Sequence, residues 1–271
     1  MRILIRGAGD LASGIAWRLY QAGYRNLLMT EDETPTTVRR TVAFSPAVYL
    51  GEMRVEGVTG RLVRSAAETE KAHENGEIAV VVDPEDDCLK WYKPDILIDA
   101  VLAKYNVGTK ITDADLVIGV GPGFTAPVDC HCVIETKRGH FLGRVIRDGS
   151  AIPNTGIPGN VGGYTKERVI RAGADGVFKA LHSIRDVVEK GEPLCEVTDS
   201  ETGETVITYA QISGVVRGML QDGVHVVKNM KSGDVDPRGH VEYCESISEK
   251  ALAIGGGVLE AVCAFAASKR S

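Results

Sequence analysis

Five largely apolar runs punctuate the first half of the chain: Ile3-Leu4-Ile5, Leu27-Leu28-Met29, Ile78 to Val82, Ile96 to Val101 and Leu116 to Val120. Runs without polar alternation suit strands covered on both faces, as in a parallel sheet. Between the first two runs, Ile15, Ala16, Leu19 and Ala22 recur at helical spacing, and Gly23 stops that helix. Strand, helix and strand make a βαβ unit, and the later runs, separated by polar and potentially helical segments, extend it. The expected class is therefore α/β, with an N-terminal Rossmann-like parallel sheet.

The pattern changes after Phe124. Asp129 to Thr136, a turn through Lys137, Arg138 and Gly139, then Phe141 to Ile146 predict a hairpin. Further on, Val187 to Val197 and Val224 to Val235 look like two copies of one design, each a valine-rich strand, a turn and a second strand. Such quasi-repeated hairpins resemble the barrel-sandwich hybrid of biotinyl and lipoyl carriers. A carrier needs a lysine at the exposed tip between its halves, and Asp199-Ser200-Glu201-Thr202-Gly203-Glu204 has none. Covalent cofactor attachment is not expected, and docking or oligomer formation takes its place. Ser246-Ile247-Ser248-Glu249 predicts a capping box before a terminal helix bearing Ala251, Leu252, Ile254, Val258, Leu259, Val262 and Phe265. Gly255-Gly256-Gly257 within that helix implies either close backbone packing, the favoured reading, or a break that offers N–H groups to a ligand. The resulting divisions are 1–125 as a Rossmann-like nucleotide-binding domain, 126–176 as a β-hairpin and glycine-rich linking region, and 177–271 as a barrel-sandwich-hybrid-like domain with the terminal helix.

Candidate chemistry begins where the first strand ends. In Gly7-Ala8-Gly9-Asp10-Leu11-Ala12, Gly7 permits a tight turn and Gly9 lets backbone approach a pyrophosphate at the helix N-terminus, while Ala12 fills the third small position. Glu31 closes the second strand, where an acidic side chain accepts hydrogen bonds from a ribose. The same glycines also serve a scaffold that binds nothing. Arg39 and Arg40 suit a 2′-phosphate or another anion, or a solvated helix face. Gly121-Pro122-Gly123-Phe124 places glycines at the carboxyl edge of a parallel strand, and Lys104 and Asn106 face either that crevice or solvent. Cys130 and Cys132 fall on one face of the expected hairpin strand, about 7 Å apart. They are either buried fillers or a thiol pair that binds a soft metal or, with nearby cations, relays sulfur or selenium. Ile157 to Arg168 is a second glycine-rich stretch, read as a connecting loop or an anion nest.

Composition narrows the function classes. The 271 residues are 44% hydrophobic and 25% charged with a net charge of -6, which fits an ordinary globular chain. No basic block offers the charge that nucleic acid demands, and no uninterrupted apolar run approaches the ~20 residues of a membrane span. Six cysteines without paired CxxC motifs argue against a disulfide scaffold or structural zinc. The N-terminus reads as a first strand rather than a signal peptide, so a cytoplasmic location is expected, with no resident metal. A terminal helix apolar around much of its circumference adds a homo-oligomer to the expectations.

Arg6-Gly7-Ala8-Gly9-Asp10-Leu11-Ala12-Ser13-Gly14, Arg39-Arg40-Thr41-Val42-Ala43-Phe44, Gly121-Pro122-Gly123-Phe124, Glu135-Thr136-Lys137-Arg138-Gly139-His140 and Gly233-Asp234-Val235-Asp236-Pro237-Arg238 together resemble the YqeB family, the selenium-dependent molybdenum hydroxylase system proteins. The resemblance runs essentially from end to end. It implies a bacterial accessory role in maturing a molybdenum hydroxylase client, and the chain is also similar to xanthine dehydrogenase accessory proteins. The family supplies no catalytic residues to transfer. Three functions follow as expectations: an accessory factor binding NAD(P), another nucleotide or the molybdenum cofactor and assisting selenium, sulfur or cofactor delivery; an NAD(P)-dependent oxidoreductase acting on a small molecule; and a noncatalytic docking scaffold. The second lacks an assignable general acid or base, because His131, His140 and His225 are isolated in sequence.

Overall fold

The computed structural model describes residues 1–269. Its first half alternates β1 (Ile3–Arg6), α1 (Asp10–Gln21), β2 (Leu27–Glu31), α2 (Ala47–Leu50), β3 (Glu52–Val55), β4 (Val58–Val63), α3 (Ala66–Glu74), β5 (Ile78–Val82), α4 (Cys88–Tyr92), β6 (Ile96–Asp99) and β7 (Leu116–Val120). Short strands follow: β8 (Thr125–Ala126), β9 (Cys132–Ile134), β10 (Val145–Ile146) and β11 (Gly149–Ser150). One mixed, mostly parallel sheet runs β10-β9-β7-β6-β1-β2-β5-β4-β3. All pairs from β4 to β9 are parallel, and antiparallel β3 and β10 close the two edges. β3 and β4 form a hairpin that the apolar pattern does not reveal; its two turn residues, Glu56 and Gly57, have φ of 41° and 86°, the backbone of a type I′ turn. The hairpin expected at 129–146 does form, as Val145 pairs with Ile134. Instead of opening a new region, it extends the main sheet through β7.

The apolar runs are buried as their composition requires: every residue of β1, β6 and β7 is buried. Helix α1 ends as the sequence indicates, with the Gly23 amide bonded to the Tyr20 carbonyl and the Tyr24 amide to that of Leu19. Its outer face is covered by the terminal helix α5 (Glu249–Ser268), which Ser248 caps by accepting from the Ala251 amide at 3.2 Å. Contact is close because both helices present glycine. A Cβ on Gly14 would come within 2.6 Å of Ala251 Cβ, and one on Gly255 within 3.1 Å of the Gly14 carbonyl oxygen. Gly257 lies against the Gly143 carbonyl, whereas Gly256 faces open space. The glycine triplet is thus a packing device. By length and composition α5 also resembles a membrane span, although charged residues and the glycine triplet interrupt its apolar run in the sequence; its buried face includes Ile254, Val258 and Val262.

The divisions at 125 and 176 differ from those of the structure. One compact unit comprises Met1–Pro35, Ala43–Thr155 and Ile247–Ser271, and the other Thr36–Val42 and Gly156–Ser246. Helix α5 belongs to the first unit rather than to the β-rich one, because its glycine face matches α1. The first unit also keeps most of the expected linking region.

The second unit contains β12 (Val169–Arg171), β13 (Gly176–Ala180), β14 (Val187–Val188), β15 (Pro193–Thr198), β16 (Thr205–Tyr209), β17 (Gly214–Met219), β18 (His225–Val226) and β19 (Lys231–Asp236). They form two four-stranded antiparallel sheets, β12-β19-β17-β14 and β16-β15-β13-β18. Exchanging β13, β14, β15 and β16 with β17, β18, β19 and β12, in both directions, converts one order into the other, so the two copies seen in sequence each contribute strands to both sheets. A single core joins Phe178, Val188, Leu194 and Val197 to Val216, Met219, Val226 and Val235. Val38, from the short N-terminal insertion, shares that core, and its carbonyl accepts from the Met219 amide at 2.8 Å. The Asp199–Glu204 tip is closed by Asp199 Oδ1, which accepts from the Glu201 and Thr202 amides at 2.9 and 2.8 Å.

A buried ion cluster ties β17 to β19. Asp236 accepts from Arg217 Nη1 at 2.9 Å and from Arg238 Nη2 at 2.6 Å, and Arg168 lies 3.4 Å from Asp234. Burial alone would raise the Asp236 pKa, but the hydrogen bonds from Arg238 and Arg217 prevail and hold it well below the ordinary carboxylate range.

Two outcomes follow for stability. Gly256→Ala should raise unfolding free energy by up to about 1 kcal/mol through helix propensity, whereas Gly257→Ala should lower it by about 1–3 kcal/mol through overpacking; chemical denaturation of both variants checks the contrast. Asp236→Asn should cost about 3–5 kcal/mol near neutral pH by leaving buried guanidinium charge uncompensated. Because the folded pKa is depressed, the carboxylate's contribution is present above the ordinary value of 3.8 and lost as pH falls through the lowered one, so the variant's deficit should shrink in acid.

Candidate functional site

Parallel strands β1, β2 and β6 bring their carboxyl ends to one edge of the sheet, and the chain leaves β1 there through Gly7-Ala8-Gly9. Gly7 has φ of 91°, and a Cβ on it would stand 3.2 Å from the Ala100 carbonyl oxygen, so both backbone angle and space call for glycine. Gly9 is the N-cap of α1 and carries no side chain to cap it. Asp10 opens the helix and its Oδ1 accepts from the Leu11 amide at 3.0 Å. Leu11 and Ala12 are buried.

Glu31, at the end of β2, reaches this turn. Its Oε2 accepts from the Ala8 amide at 3.2 Å and its Oε1 from the Asp32 amide at 3.0 Å. Burial raises its pKa, partly offset by the bonds from Asp32 and Ala8. The structure therefore brings together Gly7, Ala8, Gly9, Asp10, Leu11, Ala12 and Glu31 around one helix N-terminus. A carboxylate acceptor beside a glycine turn suits ribose hydroxyls.

The other candidates are placed differently. Arg39 and Arg40 belong to the second unit. Arg39 Nη2 donates to the carbonyls of Tyr243 and Ser246 at 3.0 and 3.2 Å, and Arg40 Nε to that of Met219 at 2.8 Å. These bonds fasten the 36–42 insertion to the unit. Gly121 and Gly123 make room for the chain itself. A Cβ on Gly121 would meet Thr136 Oγ1 at 2.9 Å, and one on Gly123 the Tyr105 backbone at 2.8 Å. Lys104, in the 102–105 segment packed there, is exposed with φ of 72°.

Cys130 and Cys132 are buried, and only Cys132 lies in β9. β9 runs parallel to β7, so its beginning lies toward the amino edge of the sheet, away from the glycine turn. Burial pushes the Cys130 thiol up to about 12 and the Cys132 thiol up to about 11. A relay thiol needs exposure and a lowered pKa, and these have neither. Neighbouring His131 accepts the Val117 amide on Nδ1 at 2.9 Å, a structural bond. Among the described residues, no group of three or more His, Cys, Asp or Glu is arranged to hold a metal.

Sequence reasoning missed the ion network beneath the turn. Arg6 and Asp99 are register partners on β1 and β6, and Arg6 Nη1 lies 3.0 Å from Asp99 Oδ2. Arg6 also pairs with Asp86 at 2.5 Å, and Thr109 Oγ1 donates to Asp99 at 2.6 Å. The available signal was a charged residue at the end of the first apolar run, Arg6, and one inside the run from Ile96 to Val101, Asp99. The network fixes the ends of both strands and hence the positions of the loops beyond them. Burial raises the Asp86 pKa, opposed by Arg6.

Thiol chemistry gives a direct check. In native protein at pH 8, with a thiolate fraction of roughly one in a thousand or less, Cys130 and Cys132 should resist iodoacetamide while exposed Cys263 reacts. Mass spectrometry of time-resolved alkylation reads the order, and denaturant should release the buried thiols.

No family model matches the chain. Among solved structures, it is similar to an aspartoacylase family protein from Mesorhizobium loti, at 12% identity over 86% of this chain and 84% of that one with a TM-score of 0.29. It is also similar to the product-bound ectoine utilization protein EutE of Ruegeria pomeroyi, at 9% identity over 86% and 52% with a TM-score of 0.24. Likenesses this low carry no argument about fold or chemistry. The curated relative is different in kind: an uncharacterized protein, YqeB, of Escherichia coli K12, 51% identical over 260 residues, which are 96% of this chain and 47% of the relative. The chain thus spans about half the length of that relative. With that identity over nearly its whole length, the chain belongs to the YqeB family.

Proposed function

We propose that the chain is an accessory protein in the maturation of selenium-dependent molybdenum hydroxylases, and that its first unit is Rossmann-like and holds a nucleotide-bearing ligand at the carboxyl edge of β1 and β2. The family resemblance supports the client process. The observation that carries the binding reading is the junction of Ala8 and Glu31, with the amide 3.2 Å from the carboxylate across a glycine turn that opens a helix. Helix α1 would receive phosphate oxygens at its positive end, and Glu31 would orient the ribose through its hydroxyls. A carboxylate there repels a 2′-phosphate, so NAD or another unphosphorylated ribose is favoured over NADP. A bound nicotinamide or pterin would supply hydride or metal-handling chemistry; the residues of this chain grip and orient. The second unit, proposed as a barrel-sandwich hybrid without an attachment lysine, would dock the hydroxylase client.

Isothermal titration with NAD, NADP and ADP tests the binding reading. NAD should bind more tightly than NADP, and Glu31→Ala should weaken NAD by roughly tenfold or more, the loss expected when hydrogen bonds to a charged acceptor disappear. No binding of any of the three at millimolar concentration would overturn it. For the maturation role, deletion of the coding gene should lower selenium content and activity of the client hydroxylase, and unchanged selenium would refute that role.

A further inference from the structure

Within the second unit, β12 is an edge of one sheet and β16 an edge of the other. The two edges touch where Thr208 Oγ1 donates to the Arg171 carbonyl at 3.1 Å and where a Cβ on Gly173 would meet Val206 at 2.7 Å. Next to that contact the chain leaves a cavity of about 310 Å³, at the lower end of the range of small-molecule sites. Ile170, Leu194 and Val235, members of the unit's core, give it an apolar wall. The cavity lies wholly inside this unit, so nothing about it depends on the glycine turn.

Its polar residues favour one sign of charge. Lys166 and Arg171 both line the cavity, and among the described residues neither forms an ion pair. Glu167, the one acidic residue lining it, is engaged elsewhere: its Oε2 accepts from the Thr165 amide at 3.0 Å. Arg171 is also held in place. Its Nη1 donates to the Asn229 carbonyl at 2.7 Å, and Asn229, with φ of 69°, is fixed in turn by its amide, which donates to the Ala172 carbonyl at 2.9 Å. Arg171 and Asn229 both line the cavity, so this bond sets the guanidinium at its wall with further N–H donors left in a planar fork that matches a carboxylate or a phosphate. Tyr209 adds an aromatic ring that is 53% exposed and whose hydroxyl has no hydrogen-bond partner among the described residues. A molecule with an anionic group on an apolar body satisfies all of these features together, because its body covers the apolar wall while its charge pairs with the arginine.

We propose that this cavity is a second ligand site, one that takes a small organic anion, a carboxylate or a phosphate ester with an apolar body. Arg171 and Lys166 hold the charged group, and Ile170, Leu194 and Tyr209 pack against the rest.

Benzoate, phenylphosphate and uncharged benzyl alcohol are titrated into the isotope-labelled full chain, with backbone amide shifts read by NMR. At least one anion should give saturating shifts at Arg171, Tyr209 and Asn229, and the tighter of the two names the preferred anionic group. Benzyl alcohol should bind roughly tenfold or more weakly than that anion, the loss expected when hydrogen bonds between charged groups disappear. Arg171→Gln should weaken the anion by a similar factor. Lys166→Gln, which breaks no hydrogen bond of the fold, should weaken it by roughly twofold to fivefold with an unchanged melting temperature, and it decides the matter if Arg171→Gln does not fold. Wild-type affinity in Lys166→Gln and in any folded Arg171→Gln would overturn the proposal, as would benzyl alcohol binding as tightly as the anions. Saturating shifts confined to the first unit, or none with either anion at millimolar concentration, would overturn it as well.

Discussion

Strand β1 is hydrogen-bonded along both edges, to β2 and β6, and every one of its residues is buried. A strand so placed can shed polar function only at its ends, because a buried polar group without a partner is costly. Parallel pairing then puts the ends of β1, β2 and β6 at the same edge. The glycine turn, Glu31 and the Arg6–Asp99 pair all follow from that constraint. Their proximity in space owes nothing to their separation in sequence.

Helix α1 transmits this arrangement to the rest of the first unit. One face rests on the sheet, and the other meets α5 through Gly14 and Gly255 at backbone distance. Such contact leaves little freedom for the helix to slide, and the direction of its N-terminus is fixed with it. The turn therefore combines a rigid helix on one side with loops positioned by ion pairs on the other. The backbone amides of the turn are thereby ordered in advance.

Both units bury charge, and both do so with arginine. Arg6 in the first and Arg217 in the second each meet an aspartate that is itself almost inaccessible. The planar guanidinium can satisfy several acceptors at once, which suits it to interiors where a lysine would leave the charge poorly matched. These clusters fix strand ends and turns, so their effect on binding passes through position. Cys130 and Cys132 stand at the opposite extreme: apolar surroundings make their thiols inert packing groups.

Local pattern alone carried much of the first unit. Apolar runs identified β1, β2, β5, β6 and β7, helical spacing identified α1 and α5, and Gly7 to Ala12 marked the turn from β1 into α1, because each depends on the hydrophobicity or backbone freedom of neighbouring residues. The repeated halves of the second unit were visible for the same reason. Whatever depends on distant partners was decided by the tertiary structure. Helix α5 joined the first unit because its glycines fit Gly14, Arg39 and Arg40 were drawn to carbonyls of the second, and Gly121 and Gly123 were filled by the chain's own 102–105 segment. Ser45 is the clearest case: its amide finds its acceptor only when Ala8 is packed against it, a contact that no local window of sequence contains.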